Sequence, residues 1–578
     1  MNVETVRYRP RRRGGGGGMK WLVVASGLAA MIIVIWVGWQ RLAPNDTVVK
    51  PDYGAEHPLL YDGKPVQNGA LIDGDRIRIP IAFVQNQLGL KEEVYYESKT
   101  GSIVLTTANK VLRMQTNTLT AKLNKQPYQL RVAAQVVDKV AYIPVEPLQE
   151  LFGLQIEHDA AQNLVTVLTA GDTIQLGAKP KGELTIRRGP SIKEPIYERV
   201  AAGAEVRIWG EEKHWYLVQS RDGTVGYADK SAIALTKREQ LKPLKDEPVF
   251  PAWKAVGSKI NLTWEAVYAK APDPAVMNTL DGVNVVAPTW FELLDGSGSI
   301  KGKADMAYVS RAHQQNMQVW AVFSNGFEPD RTTKALASAA TRLKMIQQLA
   351  AFAQMYKLQG INLDFENIYT ADKANLVQFV RELTPYMHEM GVVVSIDVTP
   401  KSNSEMWSLY FDREALGKVV DYMMIMAYDE HWASSPVAGS VASLPWTEQA
   451  VKKILTEDQV PPGKVVLGMP LYTRQWTEKK DQSGKTVVTS KTLGMEAVQN
   501  IIKQRGLKPT FDEQAGQRYV EFEQDGAKQR IWIEDGLSMK ARIALVKKYK
   551  LAGAATWQRQ FQSDDIWGVI HQSLTTLP

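Results

Sequence analysis

The chain has 578 residues, of which 44% are hydrophobic, and a formal net charge of +7. This length and apolar content exclude a largely disordered chain and a single small domain, and indicate about three or four folded domains. The chain contains no cysteine, which excludes disulfides and thiolate metal sites.

The positive charge is concentrated at the amino terminus. Residues 1–20 hold five Arg and one Lys against the single acid Glu4, a net of +5, which leaves 7 − 5 = +2 for everything after them. A nucleic-acid partner is therefore not predicted, because the rest of the chain is close to neutral.

Residues 21–39 contain no charged residue and are rich in Val, Ile, Ala and Met. This segment is long enough to cross about 30 Å of hydrocarbon and predicts a transmembrane helix. The basic residues 1–20 then form a cytoplasmic tail, which makes the chain a single-pass protein of the cell membrane with its later domains outside. A cleaved signal peptide is the alternative, but Trp36, Trp39 and Arg41 stand where such a peptide carries small residues.

Residues 79–90 match residues 143–154 position for position, and each copy predicts a strand, a short helix and a strand. Extended apolar segments follow at 102–106 and 163–167, so we predict a duplicated α+β domain over 58–170. The repeat resembles the duplicated amino-terminal domain of copper amine oxidases. No His cluster accompanies it, so the resemblance implies neither copper nor oxidase activity but a stalk or a wall-binding module.

Residues 182–236 contain short β-rich runs separated by turns such as Asp222-Gly223. They resemble a bacterial SH3-type barrel, on the segments 187–191, 205–218 and 223–228. Such modules often bind cell-wall peptide, which leaves both a peptide partner and a scaffold role open. Residues 237–251 are charged, contain Pro and carry no apolar periodicity, and they predict a linker.

From residue 259 onward, buried-type strands alternate with helical stretches. Eight such strands predict an α/β fold, a (β/α)8 TIM barrel over 253–578. The predicted strands are 260–264, 283–287, 318–323, 360–366, 392–398, 422–428, 465–470 and 552–557. An insertion in the seventh unit, at about 476–535, predicts a hairpin around Asp525-Gly526.

Polar residues occupy every second position of the fourth predicted strand, at Asn362, Asp364 and Glu366. Alternation directs all three to one side, which in a barrel strand is the interior. An unpaired carboxylate there costs several kcal/mol, so the pattern indicates a function. The alternative without a functional site is an exposed amphipathic strand with solvated acids, although parallel barrel strands are covered on both faces. A divalent metal site is another, but too few acids converge, and we predict no metal and no cofactor.

The segment 359–366, Gln-Gly-Ile-Asn-Leu-Asp-Phe-Glu, resembles the signature Asp-Gly-x-Asp-x-Asp-x-Glu of glycoside hydrolase family 18, the chitinases and their relatives. The likeness covers the last domain, since 424–429, 468–474 and 554–557 fit the family's sixth, seventh and eighth strands. Gln359 and Asn362 replace the first two acids of the signature. The form Gly-x-Asn-x-Asp-Phe-Glu-Asn is similar to that of bacterial wall and spore-cortex relatives, which favours peptidoglycan over chitin.

The resemblance implies a retaining, substrate-assisted cleavage in which the acetamide of the sugar attacks the anomeric carbon. Glu366 would be the general acid and later the base. Asp364 would hold the acetamide N–H, and Tyr428 would donate to the acetamide oxygen. Asn362 is expected to hydrogen-bond Asp364, and the missing negative charge at 362 is expected to let Asp364 ionise more readily.

The resemblance and the positions after barrel strands also imply substrate contacts. The predicted substrate-binding residues are Asn362, Asp429, Trp557, Arg474, Trp264, Trp290, Asn325 and Trp432. The predicted partner is an N-acetylated polysaccharide, peptidoglycan or chitin-like. A glycan-binding surface protein without turnover and a wall-tethering structural domain are the alternatives.

Overall fold

The computed structural model of the chain describes residues 18–244, 250–255, 259–268 and 280–575. The described residues fall into two compact units: those within 1–83 and 137–245 form one, and those within 84–136 and 246–578 form the other. The predicted domain 58–170 is therefore divided, because its middle part belongs to the second unit.

A helix spans Gly18–Leu42. Among the described residues, however, no helix is both long enough and apolar enough to cross a membrane. The predicted transmembrane helix 21–39 is thus wrong, and with it the predicted location in the cell membrane and the membrane partner. Most of the predicted basic tail, up to residue 17, lies outside the described residues.

The two copies of the repeat meet through equivalent strands. Arg76–Pro80 pairs antiparallel with Val140–Pro144, which places Ile79 directly opposite Ile143. A helix follows each strand, as predicted for both copies. The two helices are Ile81–Asn86 and Val145–Phe152, and the other strands of these sheets are Leu59–Tyr61, Lys64–Pro65, Leu71–Asp73, Gln135–Val137, Gln155–Asp159 and Leu164–Leu168.

The rest of the first unit is a seven-stranded sheet whose small core is formed by residues such as Leu184, Val206 and Val218. The predicted β-rich runs all lie in its strands, but the sheet also takes up a strand before residue 182. In chain order the strands are Thr173–Ala178, Leu184–Arg187, Ile196–Val200, Glu205–Glu212, Trp215–Gln219, Val225–Asp229 and Ala234–Gln240.

The second unit contains a closed barrel of parallel strands. Every strand pairs in parallel with the next, and the last pairs with the first. Each predicted strand overlaps an observed one, which confirms the TIM barrel. We name the barrel strands β1 Ile260–Glu265, β2 Val285–Pro288, β3 Gln318–Ser324, β4 Gly360–Asp364, β5 Val393–Val398, β6 Tyr422–Met426, β7 Val465–Pro470 and β8 Gly553–Trp557.

Helices surround the barrel and share one large apolar core with the outer faces of its strands. A hairpin of Phe291–Leu293 and Ile300–Gly302 follows β2. The helices are Met306–Gln314, Pro329–Leu336, Ala339–Met355, Lys373–His388, Arg413–Val419, Leu444–Thr456, Gly536–Lys548 and Ile566–Thr575.

The insertion after β7 forms its own five-stranded sheet and one helix. The predicted hairpin is present, with Asp525 and Gly526 at φ 53° and 68°, as a two-residue turn with both central φ angles positive requires. The elements are Tyr472–Lys480, Thr486–Gly494, Met495–Arg505, Thr510–Asp512, Gln517–Gln524 and Ala527–Ile533.

A second five-stranded sheet, from residues 94–129, packs on the barrel helices. Its residues Val104 and Val111 belong to the same apolar core as those helices. Arg113 of this sheet forms an ion pair of 2.8 Å with Glu382, which is fully buried on the helix Lys373–His388. The strands are Val94–Glu97, Ser102–Thr106, Val111–Gln115, Thr120–Leu123 and Gln126–Gln129.

Candidate active site

Two carboxyl groups lie at the carboxyl end of β4. Asp364 is the last residue of the strand and Glu366 follows two residues later, and both side chains are only partly buried. Leu363 and Phe365, between and beside them, point the other way into the core shared with the helices. The predicted alternation thus brings Asp364 and Glu366 together at the end of the barrel where TIM-barrel sites lie.

Asp364 and Glu366 share a hydrogen bond. Burial raises the pKa of Glu366 well above its usual range, and the charge of Asp364 adds to this. Burial also raises the pKa of Asp364, to about 7, while the bond to Glu366 lowers it. Because the shared bond raises one pKa and lowers the other, the proton resides on Glu366 and the first charge on Asp364.

Asn325, which follows β3, holds the main chain of Glu366. Its Oδ1 accepts a hydrogen bond from the Glu366 N–H at 3.0 Å, and its Nδ2 donates to the Glu366 carbonyl at 2.7 Å. The same Nδ2 donates to Thr332 Oγ1 at 3.0 Å. Asn325 is fully buried, so its side chain offers no surface to a ligand and serves as a support for Glu366 instead of the predicted substrate contact.

We expect Asn325→Ala to lower kcat by roughly 10- to 100-fold, because a small displacement of a reacting group costs about this much. KM should change little, since Asn325 has no surface for substrate. Steady-state kinetics with Thr332→Val as the control tests this, because Thr332 hydrogen-bonds Asn325 and the Glu328 carbonyl but not Glu366. Equal losses in both variants would contradict a specific support of Glu366.

Asn362 lies inside the barrel, fully buried. Its Nδ2 donates to Asp397 Oδ1 at 2.8 Å and to Ser395 Oγ at 3.1 Å. Its Oδ1 accepts from the indole N–H of Trp264 at 2.9 Å. All of its polar atoms thus bind residues of other barrel strands. We predicted that Asn362 contacts substrate and hydrogen-bonds Asp364, but its polar atoms are directed to Trp264, Ser395 and Asp397 instead.

Asp397 on β5 is an acid of this site that we did not predict. It is 2% exposed, and burial and the charge of Asp364 raise its pKa well above its usual range. It adds to the upward shift of the Glu366 pKa. Burial, and not the charge of Asp397, raises the pKa of Asp364, so the expectation that Asp364 ionises more readily without an acid at position 362 remains a prediction. Ser395 and Asp397 alternate along β5, which is the sequence signal that could have identified this acid.

Asp429 follows β6 with φ 60° and a half-exposed side chain. Its Oδ1 accepts hydrogen bonds from Tyr472 Oη at 2.6 Å and from Arg474 Nη2 at 2.8 Å. The side chain of Arg474 is 7% exposed and its charge is paired with Asp429. Arg474 therefore orients Asp429, whereas we predicted a direct contact of Arg474 with sugar.

Tyr428, beside Asp429, is partly exposed and packs against the apolar interior of the barrel. Burial raises the pKa of its phenol well above the usual range, and the charges of Asp397 and Glu366 add to this. The phenol thus stays protonated at any physiological pH, so it is available to donate a hydrogen bond beside the carboxyl pair.

The four predicted tryptophans separate into two groups. Trp557 is partly exposed at the end of β8, and Trp432, after β6, is 53% exposed. Trp264 and Trp290 are buried; Trp264 packs 6.2 Å from the Trp557 ring, and Trp290 packs on Tyr308. Only Trp557 and Trp432 thus offer a face to a ligand.

Comparison with known proteins places these elements in families. Glycosyl hydrolases family 18 matches residues 277–562. The copper amine oxidase N-terminal domain matches residues 60–167, and the bacterial SH3 domain matches residues 182–234. The three resemblances seen in the sequence are confirmed.

The relatives include the uncharacterized glycosylase YvbX of Bacillus subtilis (strain 168), 26% identical over 302 residues, which are 50% of this chain and 84% of that protein. A cortical fragment-lytic enzyme of Bacillus anthracis is 24% identical over 291 residues, 48% of this chain and 65% of that protein. The crystal structure of the spore cortex-lytic enzyme SleL of Bacillus megaterium QM B1551 has the same fold, with a TM-score of 0.50 and 18% identity over 59% of this chain and 78% of that one.

Proposed function

Because the chain carries a glycoside hydrolase family 18 domain and is an enzyme of that type, we propose that it cleaves β-N-acetylglucosaminyl linkages of peptidoglycan by a retaining, substrate-assisted mechanism. The observation that carries this proposal is the hydrogen-bonded pair of Asp364 and Glu366, in which the strongly raised pKa of Glu366 favours its protonated form. The pair lies at the carboxyl end of the barrel, where TIM-barrel enzymes bind substrate, and both side chains are partly exposed.

In the first step, Glu366 donates its proton to the glycosidic oxygen as the bond to the anomeric carbon breaks. The acetamide carbonyl oxygen of the same sugar attacks that carbon, which forms a cyclic oxazolinium ion. Asp364, as a carboxylate, accepts the acetamide N–H and stabilises the developing positive charge. The Tyr428 phenol donates to the acetamide oxygen and fixes its direction of attack.

In the second step, the Glu366 carboxylate takes a proton from water. The water oxygen attacks the anomeric carbon, opens the oxazolinium ring and restores the acetamide and the proton on Glu366. Two displacements on the same carbon retain its configuration. In the free enzyme, the acidic limb of kcat/KM should therefore follow the ionisation of the pair near pH 7, the pKa of Asp364, and the alkaline limb should follow the loss of the Glu366 proton.

Peptidoglycan as the substrate is supported by the cortical fragment-lytic relatives and by the order of the chain. The repeat domain and the SH3-type domain precede the catalytic barrel, and such modules suit a protein that is held on a polymeric wall. The SH3-type domain would then add a contact with cell-wall peptide, and the barrel would cleave the glycan.

Purified peptidoglycan and chito-oligosaccharides should be incubated with the enzyme and the released fragments analysed by mass spectrometry after borohydride reduction. We expect fragments from peptidoglycan that carry a reduced N-acetylglucosamine end. A reduced N-acetylmuramic acid end would contradict the proposed linkage. Binding to the wall without any release would support a non-catalytic glycan-binding protein instead.

Trp432 is expected to bind sugars that extend beyond the cleaved bond. We expect Trp432→Ala to raise KM on long glycans by roughly 2- to 10-fold, the factor that corresponds to about 0.5–1.5 kcal/mol for an aromatic contact. The change on disaccharide substrates should be smaller. Phe511→Ala is the control, since Phe511 is also exposed but lies in the insertion sheet.

A further inference from the structure

Asp397 occupies the barrel layer of the catalytic pair. In the register of β4 and β5, Asn362 lies opposite Ser395 and Leu363 opposite Ile396, so the next positions bring Asp364 and Asp397 side by side. Neighbouring strands are about 4.8 Å apart, and alternation directs both side chains to the barrel interior. Asp397 of β5 thus lies beside Asp364, and it occupies the layer in which the family signature has an acid at position 362 of β4.

A fixed amide connects β4 to Asp397. The indole N–H of Trp264 can only donate, so the atom of Asn362 that faces it is the amide oxygen. The amide nitrogen must then face β5, where it donates to Asp397 Oδ1 at 2.8 Å. The side-chain amide of Asn362 is therefore oriented so that it donates to Asp397. Its polar atoms bind Trp264, Ser395 and Asp397, and none of them binds a residue of β4.

An ordinary structural role does not account for Asp397. A buried carboxylate costs several kcal/mol unless a cation or enough hydrogen-bond donors compensate it. Asn362 and Trp264 donate to Asp397, but burial outweighs them and the pKa of Asp397 stays raised. Among the described residues, the titratable groups that face Asp397 are Asp364 and Glu366 on β4 and Tyr428 after β6, and none of them is a cation. The fold thus retains an acid that destabilises it when charged, which indicates a use in the reaction.

We propose that Asp397 is a positioning residue of the catalytic pair, which from β5 and through Asn362 sets which of Asp364 and Glu366 carries the proton. This inference rests on the proposed function. Asp397 takes the place of the acid that position 362 lacks relative to the family signature. Its negative charge makes it harder for Glu366 to lose its proton, so Glu366 remains an acid until the glycosidic oxygen takes that proton.

The decisive experiment moves the acid between strands. We expect Asp397→Asn to shift the alkaline limb of the kcat/KM profile on chito-oligosaccharides to lower pH by about one unit, because a like charge no longer raises the pKa of Glu366. The double variant Asn362→Asp/Asp397→Asn returns an acid to β4 and should restore the wild-type profile. Ser395→Ala is the control, since it removes only a neutral partner of Asn362 and should leave the profile in place.

A second readout does not require turnover. A carboxyl whose folded pKa is raised contributes stability that is present below its unfolded pKa of about 4 and is lost as pH rises through the folded value. Asp397→Asn should therefore reduce the fall in thermal midpoint between pH 4 and neutral pH. Should this variant fold poorly, Asn362→Asp alone adds an acid and should shift the alkaline limb the opposite way.

The outcomes separate the two proposals. Unchanged pH profiles and unchanged stability slopes in Asp397→Asn and Asn362→Asp would overturn the role of Asp397, even if kcat fell. The proposed function would survive that result, because it depends on fragment release by the wild-type enzyme and on Glu366. Absence of fragment release by the wild-type enzyme, with the stability slope shifted as expected, would overturn the function and leave only the electrostatic coupling.

Discussion

Replacing Glu366 by Gln is expected to lower kcat on peptidoglycan by roughly 10²- to 10⁴-fold, the contribution of a positioned general acid–base group. Gln has the shape of the protonated Glu366 and can keep the hydrogen bond to Asp364, but it has no proton to give to the glycosidic oxygen. Release of reducing ends by wild type and variant under the same conditions measures the loss.

The same variant should be as stable as wild type or more stable at neutral pH. The pKa of Glu366 is raised in the folded state, so its stabilising contribution is present below the unfolded pKa of about 4 and is lost as pH rises through the folded value. Gln has no such pH dependence, and its advantage should disappear near pH 4. Thermal unfolding at pH 4 and pH 7 measures this difference.

Retained turnover in Glu366→Gln would contradict the assignment of the acid. A loss of turnover together with a loss of stability would mean that the variant is misfolded. The expected combination, inactive and stable, is specific to a group whose proton is used in the reaction. Thr341→Val, on the helix Ala339–Met355, provides a control that leaves the site unchanged.

The carboxyl pair could be predicted from the sequence because its signal is local. Asp364 and Glu366 stand two residues apart at the end of β4, where polar and apolar residues alternate, and alternation alone places them together. The eight strands could be found for the same reason, since each is a short run of branched apolar residues between turns. Both features depend on neighbours along the chain.

The supports of the site depend on neighbours across the barrel, and the sequence does not show them. Asn325 was expected at the substrate because it follows a strand, and Arg474 because it lies in the family's seventh-strand motif. In the structure their partners are Glu366 and Asp429. Asp397 was missed although Ser395 and Asp397 alternate along β5. The strand was recognised, but only the register with β4 makes its acid part of the site.

The sequence also could not show that the first repeat is divided. The two copies match position for position up to their strand pairs, and the similarity predicts one domain. The sheet 94–129 packs on the barrel helices through a few side chains, among them Arg113, which pairs with Glu382. The similarity of the two copies does not predict this contact. The packing of the sheet 94–129 on the barrel helices is therefore visible only in the structure.

Glu382→Gln is expected to destabilise the second unit by about 3–5 kcal/mol, the cost of removing one partner from a buried ion pair. Both carboxylate oxygens of Glu382 are used: one is 2.8 Å from Arg113 Nη1 and the other is 2.9 Å from Arg342 Nη2. Gln378 adds a hydrogen bond at 2.9 Å. The variant leaves two buried guanidinium groups without their counter-charge, one of them on the sheet 94–129.

Glu92→Gln is the matched control. Glu92 pairs with Arg381 at 2.6 Å and also joins the sheet segment to the helix Lys373–His388, but its side chain is 57% exposed. An exposed pair contributes about 0–1 kcal/mol, so this variant should lose little. Urea unfolding, followed by both tryptophan fluorescence and loss of glycosidase activity, compares the two. Equal midpoints for Glu382→Gln and Glu92→Gln would mean that the buried pair does not hold the sheet on the barrel.

The two arginines also fix how the loss depends on pH. Burial acts to raise the pKa of Glu382, but the charges of Arg113 and Arg342 outweigh it and hold the pKa below its usual range. A lowered carboxyl pKa contributes stability that is present above the unfolded value of about 4.3 and is lost as pH falls through the folded value. The difference between wild type and Glu382→Gln should therefore be full at pH 7 and shrink below pH 4. Since this ion pair joins the first repeat to the helices around the active site, activity in Glu382→Gln should fall at the same urea concentration as the fluorescence of the barrel.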